Sequence, residues 1–276
     1  MPMKHVGILY QPKRAAAVEF SLEVEKFLSA NGIYTWRCSA WEPEKAKQLI
    51  NGTDLLLSIG GDGTILRAAR TVIPESIPIL GINLGRLGFM AELKASEAIN
   101  RLSDLLNGKG WIEKRAIIEA EIPSQNRRLY ALNEVFVGRR SSARLVNIDC
   151  KLNGIALTTY RADGIIVATA SGSTGYSLAT GGPVLHPQAK EMLLLPVCAH
   201  FTFDRALVLP TKTKVELQVT TSHEAMISFD GQTELQLNSR DKVKVKLSAY
   251  TAKFLRLQPS NYFYKLLDSK LKRKIK

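Results

Sequence analysis

The sequence predicts an α/β amino-terminal domain with a parallel sheet, over 1–110, joined to an all-β, sandwich-like domain over 111–258. Three observations predict it. Apolar runs of strand length alternate with helical patterns through the first third of the chain, the signature of a parallel sheet covered by helices. From Asn107-Gly108-Lys109-Gly110 onward, short β-rich runs separated by turns take over, which reads as a layered β domain. Between the apolar run 55–59 and a helical pattern stands a glycine turn, Gly60-Gly61-Asp62-Gly63-Thr64. That turn is how a strand feeds a helix at the carboxyl end of a parallel sheet, where such folds bind ligands.

The elements follow in order. A strand is predicted over 6–10, then a helix over 15–30 with Val18, Leu22 and Leu28 inward, stopped by Asn31-Gly32. A second strand (33–37), a short helix (44–50) stopped by Asn51-Gly52, and the strand 55–59 come next. The helix after the glycine turn puts Ile65, Leu66, Ala69, Val72 and Ile73 on one face and ends before Pro74, and a fourth strand occupies 79–82. In the second region strands are expected over 116–122, 130–137, 146–152, 156–160, 165–169, 193–198, 214–219, 225–229, 234–237, 242–246 and 252–257. Asn153-Gly154 between two of them is a strong hairpin signal, because both residues accept positive φ. Within 259–276, Phe263, Leu266, Leu267 and Leu271 recur at helical spacing, predicting a basic surface helix packed near the first domain.

Composition narrows the function classes. With 45% hydrophobic and 23% charged residues over 276 positions, the chain has the make-up of a soluble globular protein. No run is long enough to span a bilayer. The net charge of +13 favours anionic partners or simply keeps the protein in solution. The basic residues are dispersed and no nucleic-acid motif accompanies them, so polyanionic small ligands are expected rather than nucleic acid or a membrane. Cys38, Cys150 and Cys198 are odd in number and widely spaced, which fits a reducing cytoplasm and neither a disulfide framework nor a structural zinc site. The histidines show no metal-ligand spacing, and no protein metal ligands are assigned.

The chemistry concentrates in a few segments. In the turn at 60–64 the glycines admit a ligand close to the backbone, and the helix behind it offers a positive end suited to phosphate. A carboxylate there would repel phosphate unless it also holds a metal, orients a ribose hydroxyl or takes a proton from one. Neither the Lys-bearing phosphate loop nor the dinucleotide fingerprint is present, since Leu66 stands where the latter's third glycine belongs. A second glycine- and hydroxyl-rich stretch runs from Asp163-Gly164 through Ser171-Gly172-Ser173-Thr174-Gly175-Tyr176-Ser177 to Gly181-Gly182-Pro183. Its hydroxyls and backbone amides suit amide, ribose and phosphate oxygens. Asn133-Glu134 sits among apolar neighbours inside the strand 130–137, where buried polar groups need partners, which a ribose or amino group would supply. Arg144 and Arg161 are candidate phosphate clamps through their guanidinium forks.

Taken together, Gly60-Gly61-Asp62-Gly63-Thr64, Asn83-Leu84-Gly85-Arg86-Leu87-Gly88-Phe89, Asn133-Glu134, the 163–183 segment and Asp230-Gly231-Gln232 closely resemble the NAD kinase family. The Gly-Gly-Asp-Gly-Thr run alone is shared with lipid kinases and is similar to a phosphofructokinase motif. The Asn-Glu pair and the Gly-Ser-Thr loop single out NAD kinases. The resemblance implies phosphoryl transfer from ATP or polyphosphate, with Mg²⁺, to NAD, giving NADP. It implies an active site between the two domains and a cytoplasmic homodimer or homotetramer. By the same resemblance Asp62 is the general base on the adenosine ribose 2′-hydroxyl, with Gly63 and Arg67 lining the site. Asn133, Glu134, Arg144, Arg161, Asp163, the segment Thr174, Gly175, Tyr176, Ser177, Leu178 and Ala179, and Gln232 bind nucleotide. Ala170-Ser171 stands where the family usually shows Pro-Thr, and Gly175 where Ala is usual. These small-for-small changes bear on loop stiffness and fine specificity.

Overall fold

The computed structural model describes residues 3–85, 88–106, 108–140, 145–200 and 203–271. The chain divides into two compact units, one of residues 1–114 with 252–276 and one of 115–251.

The first unit begins β1 (His5–Tyr10), α1 (Ala15–Ala30), β2 (Tyr34–Ser39), α2 (Pro43–Leu49), β3 (Leu55–Ile59), α3 (Asp62–Thr71), β4 (Ile79–Asn83), β5 (Leu93–Lys94) and α4 (Ala95–Leu106). Its strands are parallel in the order β5-β4-β3-β1-β2. All five residues of β3 are buried, as a parallel strand covered on both faces demands of its sequence. On one face Val6, Ile8, Leu57, Ile59 and Leu80 pack against Val24 and Leu28 of α1 and Leu102 and Leu105 of α4. On the other, Ile65 of α3 lies over Gly81.

Two helices depart from the sequence expectation. The buried stripe of α1 is Ala17, Ser21, Val24 and Leu28, and Leu22 is 39% exposed. The small Ala17 and Ser21 continue the i, i+4, i+7, i+11 progression that ends at Leu28, so they take the sheet-facing positions in place of Val18 and Leu22. α4 was not among the predicted elements, although Ala98, Leu102 and Leu105 carry its i, i+4, i+7 stripe.

The second unit contains β7 (Arg127–Ala131), β8 (Glu134–Arg139), β9 (Val146–Leu152), β10 (Ile155–Ala162), β11 (Gly164–Ala168), α5 (Tyr176–Ala179), β12 (Met192–Val197), β13 (Leu207–Leu209), β14 (Val215–Thr220), β15 (Ala225–Phe229) and β16 (Thr233–Leu237). The strands β6 (Trp111–Ile122) and β17 (Lys242–Arg256) run through both boundaries, and α6 (Tyr262–Leu271) follows β17 in the first unit. One sheet runs β10-β9-β14-β17, with β6 pairing β17 and β7; the other is antiparallel in the order β13-β12-β11-β8-β15-β16. Residues of both line one core, among them Ile148, Leu217 and Val243 from the first and Val135, Val167, Leu194 and Phe229 from the second. That is a sandwich built on alternating inward positions. β9 and β10 turn at Asn153 (φ 52) and Gly154 (φ 85), the left-handed pair a two-residue hairpin needs.

Lys242–Arg256 forms one long strand where two were expected, and 130–137 contributes to two where one was expected. The break falls at Leu132-Asn133, and its cause is a side chain described below. The predicted tail residues 272–276 lie outside the described residues. Among the described residues no helix is long and apolar enough to cross a membrane.

Candidate active site

In the first unit, β3 ends at Ile59 and α3 starts at Asp62 after two glycines, Gly60 and the extended Gly61 (φ −94, ψ −175). No side chain caps this helix start. Asp62 therefore stands at the positive end of a ten-residue helix, where a carboxylate is electrostatically favoured. Gly88 and Phe89, beyond β4, close over it. Asn83 shapes the loop after β4 by accepting the Gly85 N–H on its side-chain oxygen at 2.9 Å. Farther along, the Phe89 N–H donates to Asp62 Oδ2 at 3.1 Å. Gly88 lies so close that a Cβ there would sit 2.1 Å from Asp62 Oδ1. Oδ1 itself is buried and accepts no hydrogen bond among the described residues. A carboxylate oxygen held with its lone pairs unused is poised to accept a proton or hydrogen bond from a ligand.

Gly88→Ala tests this packing. The new methyl must push the Asp62 carboxylate aside, so turnover should fall sharply while the melting temperature changes little. Unchanged kcat would show that the carboxylate has room to spare.

Arg67 lies five residues on in α3, about 140° round the helix from Asp62. Its guanidinium stacks 4.2 Å from the centroid of the Trp41 ring. Burial lowers its pKa, and its Nε has no hydrogen-bond partner among the described residues. Arg86 and Leu87 lie outside the described residues.

In the second unit the organising group is Asp230, which sits in the left-handed region (φ 53) after β15 and is buried. Its carboxylate accepts three backbone N–H groups, from Leu132 at 3.1 Å, Asn133 at 2.7 Å and Glu134 at 3.2 Å. The Asp230 N–H donates to Glu134 O in return. These bonds take the 132–134 amides away from any sheet ladder, which is why the predicted strand 130–137 breaks there. Asn133 and Glu134 are thereby presented with Asn133 Oδ1 and Glu134 Oε2 buried and without a hydrogen-bond partner among the described residues.

The glycine-hydroxyl loop packs on this pair. Thr169 N donates to Asn133 O at 2.8 Å, and the Thr169 hydroxyl bridges Leu132 O and Gly172 N. Gly172 is pressed onto the Asn133 backbone, where a Cβ would lie 2.1 Å from the carbonyl oxygen. A Cβ at Gly175 would come 3.0 Å from Glu134 Oε2. The Tyr176 ring is 43% exposed and lies 5.8 Å from that of Phe136. The Thr174 hydroxyl is bonded within the loop to Ser171 O, while the Ser177 hydroxyl is buried without a partner among the described residues. Leu178 and Ala179 complete α5. Gln232 is half-buried in the turn after Asp230, its N–H bonded to Phe229 O.

Burial, then the nearby Asp230 carboxylate, pushes the Glu134 carboxyl up to about 7, against a lowering hydrogen bond from the Tyr176 N–H. The sign follows from linkage. The folded pKa lies above the ordinary 4.5, so the native state binds the proton more tightly and stability declines as pH rises from 4.5 to about 7. Glu134→Gln, which mimics the protonated form, should gain stability relative to the parent across that window and hold the gain above it. Denaturant midpoints at acidic and alkaline pH measure this, and a pH-independent difference would refute it.

Of the remaining predicted residues, Asp163 lies within electrostatic reach of Tyr176 and Arg161 lies on the other sheet. Asp163 follows β10 and accepts from Arg139 Nη2 at 2.8 Å. Arg161 is exposed on β10, opposite Asn147 of β9, in the other sheet of this unit. Arg144 lies outside the described residues. Three groups that hold candidate residues were absent from the predicted site residues: Asp230, the Gly88–Phe89 clasp and Arg139. Asp230 and Gly88–Phe89 stood in segments that carry the resemblance, whereas Arg139 had no signal.

A helix-head carboxylate with a free oxygen, in an α/β unit whose partner unit carries a buried amide-carboxylate pair under a glycine-hydroxyl loop, places the chain among the phosphotransferases that act on nucleotides. Family models agree and narrow the class: residues 30–110 match the ATP-NAD kinase N-terminal domain and 132–257 the ATP-NAD kinase C-terminal domain. The chain belongs to the ATP-NAD kinase family. It is 44% identical over 273 residues to an NAD kinase of Dehalococcoides mccartyi strain CBDB1, covering 98% of this chain and 96% of that one. It is 39% identical to an NAD kinase of Chloroflexus aggregans, covering 98% and 99%. Among solved structures it is similar to an NAD kinase from Archaeoglobus fulgidus in complex with ATP, with TM-score 0.77, 25% identity and coverage of 96% and 98%. The fold also matches that of a yeast NADH kinase complexed with NADH, with TM-score 0.84, 24% identity and coverage of 100% and 89%.

Proposed function

We propose that this chain phosphorylates the 2′-hydroxyl of the adenosine ribose of NAD, giving NADP, with ATP or polyphosphate as donor. The observation that carries the reading is Asp62 Oδ1, buried, without a hydrogen-bond partner among the described residues and fixed at the head of α3. Asp62 takes the proton of the 2′-hydroxyl as its oxygen bonds to the donor's terminal phosphorus. The bond from that phosphorus to the bridging oxygen breaks, and ADP or a shortened polyphosphate leaves. Asn133 and Glu134 fit the role of ribose and amino-group partners, because each holds a buried acceptor with no donor among the described residues. The β-rich region 111–258 is read as the NAD-binding part and 1–110 as the nucleotide-kinase part. Arg67, Arg144, Arg161, Asp163, the segment 174–179 and Gln232 are assigned to nucleotide binding with them.

Among the described residues no group of three or more His, Cys, Asp or Glu side chains could cage a metal ion. Mg²⁺ would be held chiefly through the donor's phosphates, in keeping with an ion that retains waters and takes one or two carboxylates. When bound it would neutralise charge on the transferring group. The three cysteines are free thiols, which accords with a cytoplasmic enzyme of the NADP-supplying pathway. A homodimer or homotetramer is the expected assembly.

The test is NADP formation from NAD, Mg²⁺ and either donor, detected with an NADP-specific dehydrogenase. Product with one donor establishes the activity and names the donor. Tight NAD binding without product from either would identify a dinucleotide sensor instead.

A further inference from the structure

The loop that clasps Asp62 is itself held by a buried charged group outside the site. Arg256, at the end of β17, is 7% exposed, and its guanidinium faces two carboxylates that are also buried, Glu92 and Glu113, at 5% and 6% exposure. Its Nε donates to Glu113 Oε2 at 2.7 Å. Its Nη1 donates both to Met90 O at 2.9 Å and to Glu92 Oε2 at 3.1 Å. Its face lies over the Phe254 ring at 5.0 Å. The other oxygen of Glu92 accepts the N–H groups of Leu257 and Gln258, and Glu92 N donates to Gly81 O.

The geometry converges on one short stretch. Met90, whose carbonyl Arg256 grips, directly follows Phe89, whose N–H orients Asp62. The Phe89 ring lies 6.3 Å from that of Phe263 in α6, a second tie from the carboxyl-terminal segment. Burying one guanidinium with two carboxylates is a poor way to gain stability, since well-packed apolar residues serve as well or better. What the arrangement supplies is direction. A planar fork holds several acceptors at fixed angles, which an ammonium or an apolar side chain does not.

We propose that Arg256 is a positioning residue for phosphoryl transfer: through Met90 O and Glu92 it fixes the 88–90 backbone that aims the Asp62 carboxylate. The inference rests on Asp62 being the general base. A structural anchor and a positioning residue differ in how they combine with the loss of Asp62. An anchor lowers activity by the same factor whether or not the base is present. A residue that acts through the base has nothing further to remove once the base is gone.

The experiment is a double-mutant cycle on the full chain with Arg256→Lys and Asp62→Asn, measuring kcat, KM for NAD and donor, and the NAD dissociation constant. Lys keeps the charge but cannot hold Glu113, Glu92 and Met90 O together. Arg256→Lys should lower kcat on the order of 10- to 100-fold, the scale of a sub-ångström to ångström misplacement, with NAD affinity unmoved. In the Asp62→Asn background it should lower the residual turnover no further. An equal fractional loss in both backgrounds, or a full kcat in Arg256→Lys alone, overturns the proposal and leaves the role of Asp62 standing. Wild-type turnover in Asp62→Asn alone overturns the base assignment and this inference with it. If Arg256→Lys does not fold, Glu92→Gln carries the same cycle, because it preserves shape while weakening the grip on the loop. Its loss should be smaller and equally non-additive, and an additive loss refutes the proposal.

Discussion

Asp62→Asn should keep NAD affinity close to that of the parent and lose roughly 10²- to 10⁴-fold in kcat, the range a single general base supplies. The substitution is nearly isosteric, so the fold has no reason to change. The amide oxygen can still accept the Phe89 N–H that now reaches Oδ2 at 3.1 Å. With that bond made, the amide NH₂ takes the position of Oδ1, the buried oxygen without a partner. A group that could take the hydroxyl proton is replaced by one that can only donate to the hydroxyl oxygen, so the proton has no base to go to. Binding draws on many contacts and should survive; proton removal draws on one. The measurement is kcat by NADP formation beside the NAD dissociation constant by calorimetry. A kcat near that of the parent would remove Asp62 from the chemistry, and a parallel collapse of binding would make its role structural.

What could be read from the sequence divides by how local the cause is. The Leu55–Ile59 run, the glycine turn behind it and the helix beginning at Asp62 are contiguous, so strand, turn and carboxylate are legible together. The Asn153-Gly154 hairpin is legible because two residues with positive φ determine it. Local pattern fails where a distant group intervenes. The break at Leu132-Asn133 is imposed by Asp230, 97 residues away from the Asn133 amide that it holds. Nothing in the apolar run 130–137 announces it. The Arg256 bond to Glu92 spans 164 residues, and neither residue is set off by its neighbours. α4 is a different failure, since its stripe of Ala98, Leu102 and Leu105 was present and went unread. Site residues on one turn could therefore be named from sequence, while the groups that hold those turns in place became visible only in three dimensions.

The second large effect follows from that hidden group. Asp230→Ala should destabilise the protein by about 3 kcal/mol or more, because three buried amides lose their acceptor and each unsatisfied group costs about 1–3 kcal/mol. Asp230→Asn should fall between. Its amide oxygen can keep the place of Oδ1, which serves Asn133 and Glu134, but its NH₂ then faces the Leu132 N–H, a donor against a donor. The order parent, Asp230→Asn, Asp230→Ala in denaturant midpoint is thus a test of the geometry and not merely of charge. NAD binding should weaken in the same order, since Asn133 and Glu134 are held by these bonds. One consequence runs the opposite way. Asp230 is among the causes that raise the Glu134 carboxyl, so either substitution should lower its titration midpoint and shrink the stability lost between acid and neutral pH. If Asp230→Asn were as stable as the parent, the carboxylate charge and the Leu132 bond would be dispensable. If Asp230→Ala were as stable too, solvent would have to satisfy all three amides, and the break in the strand would need another cause.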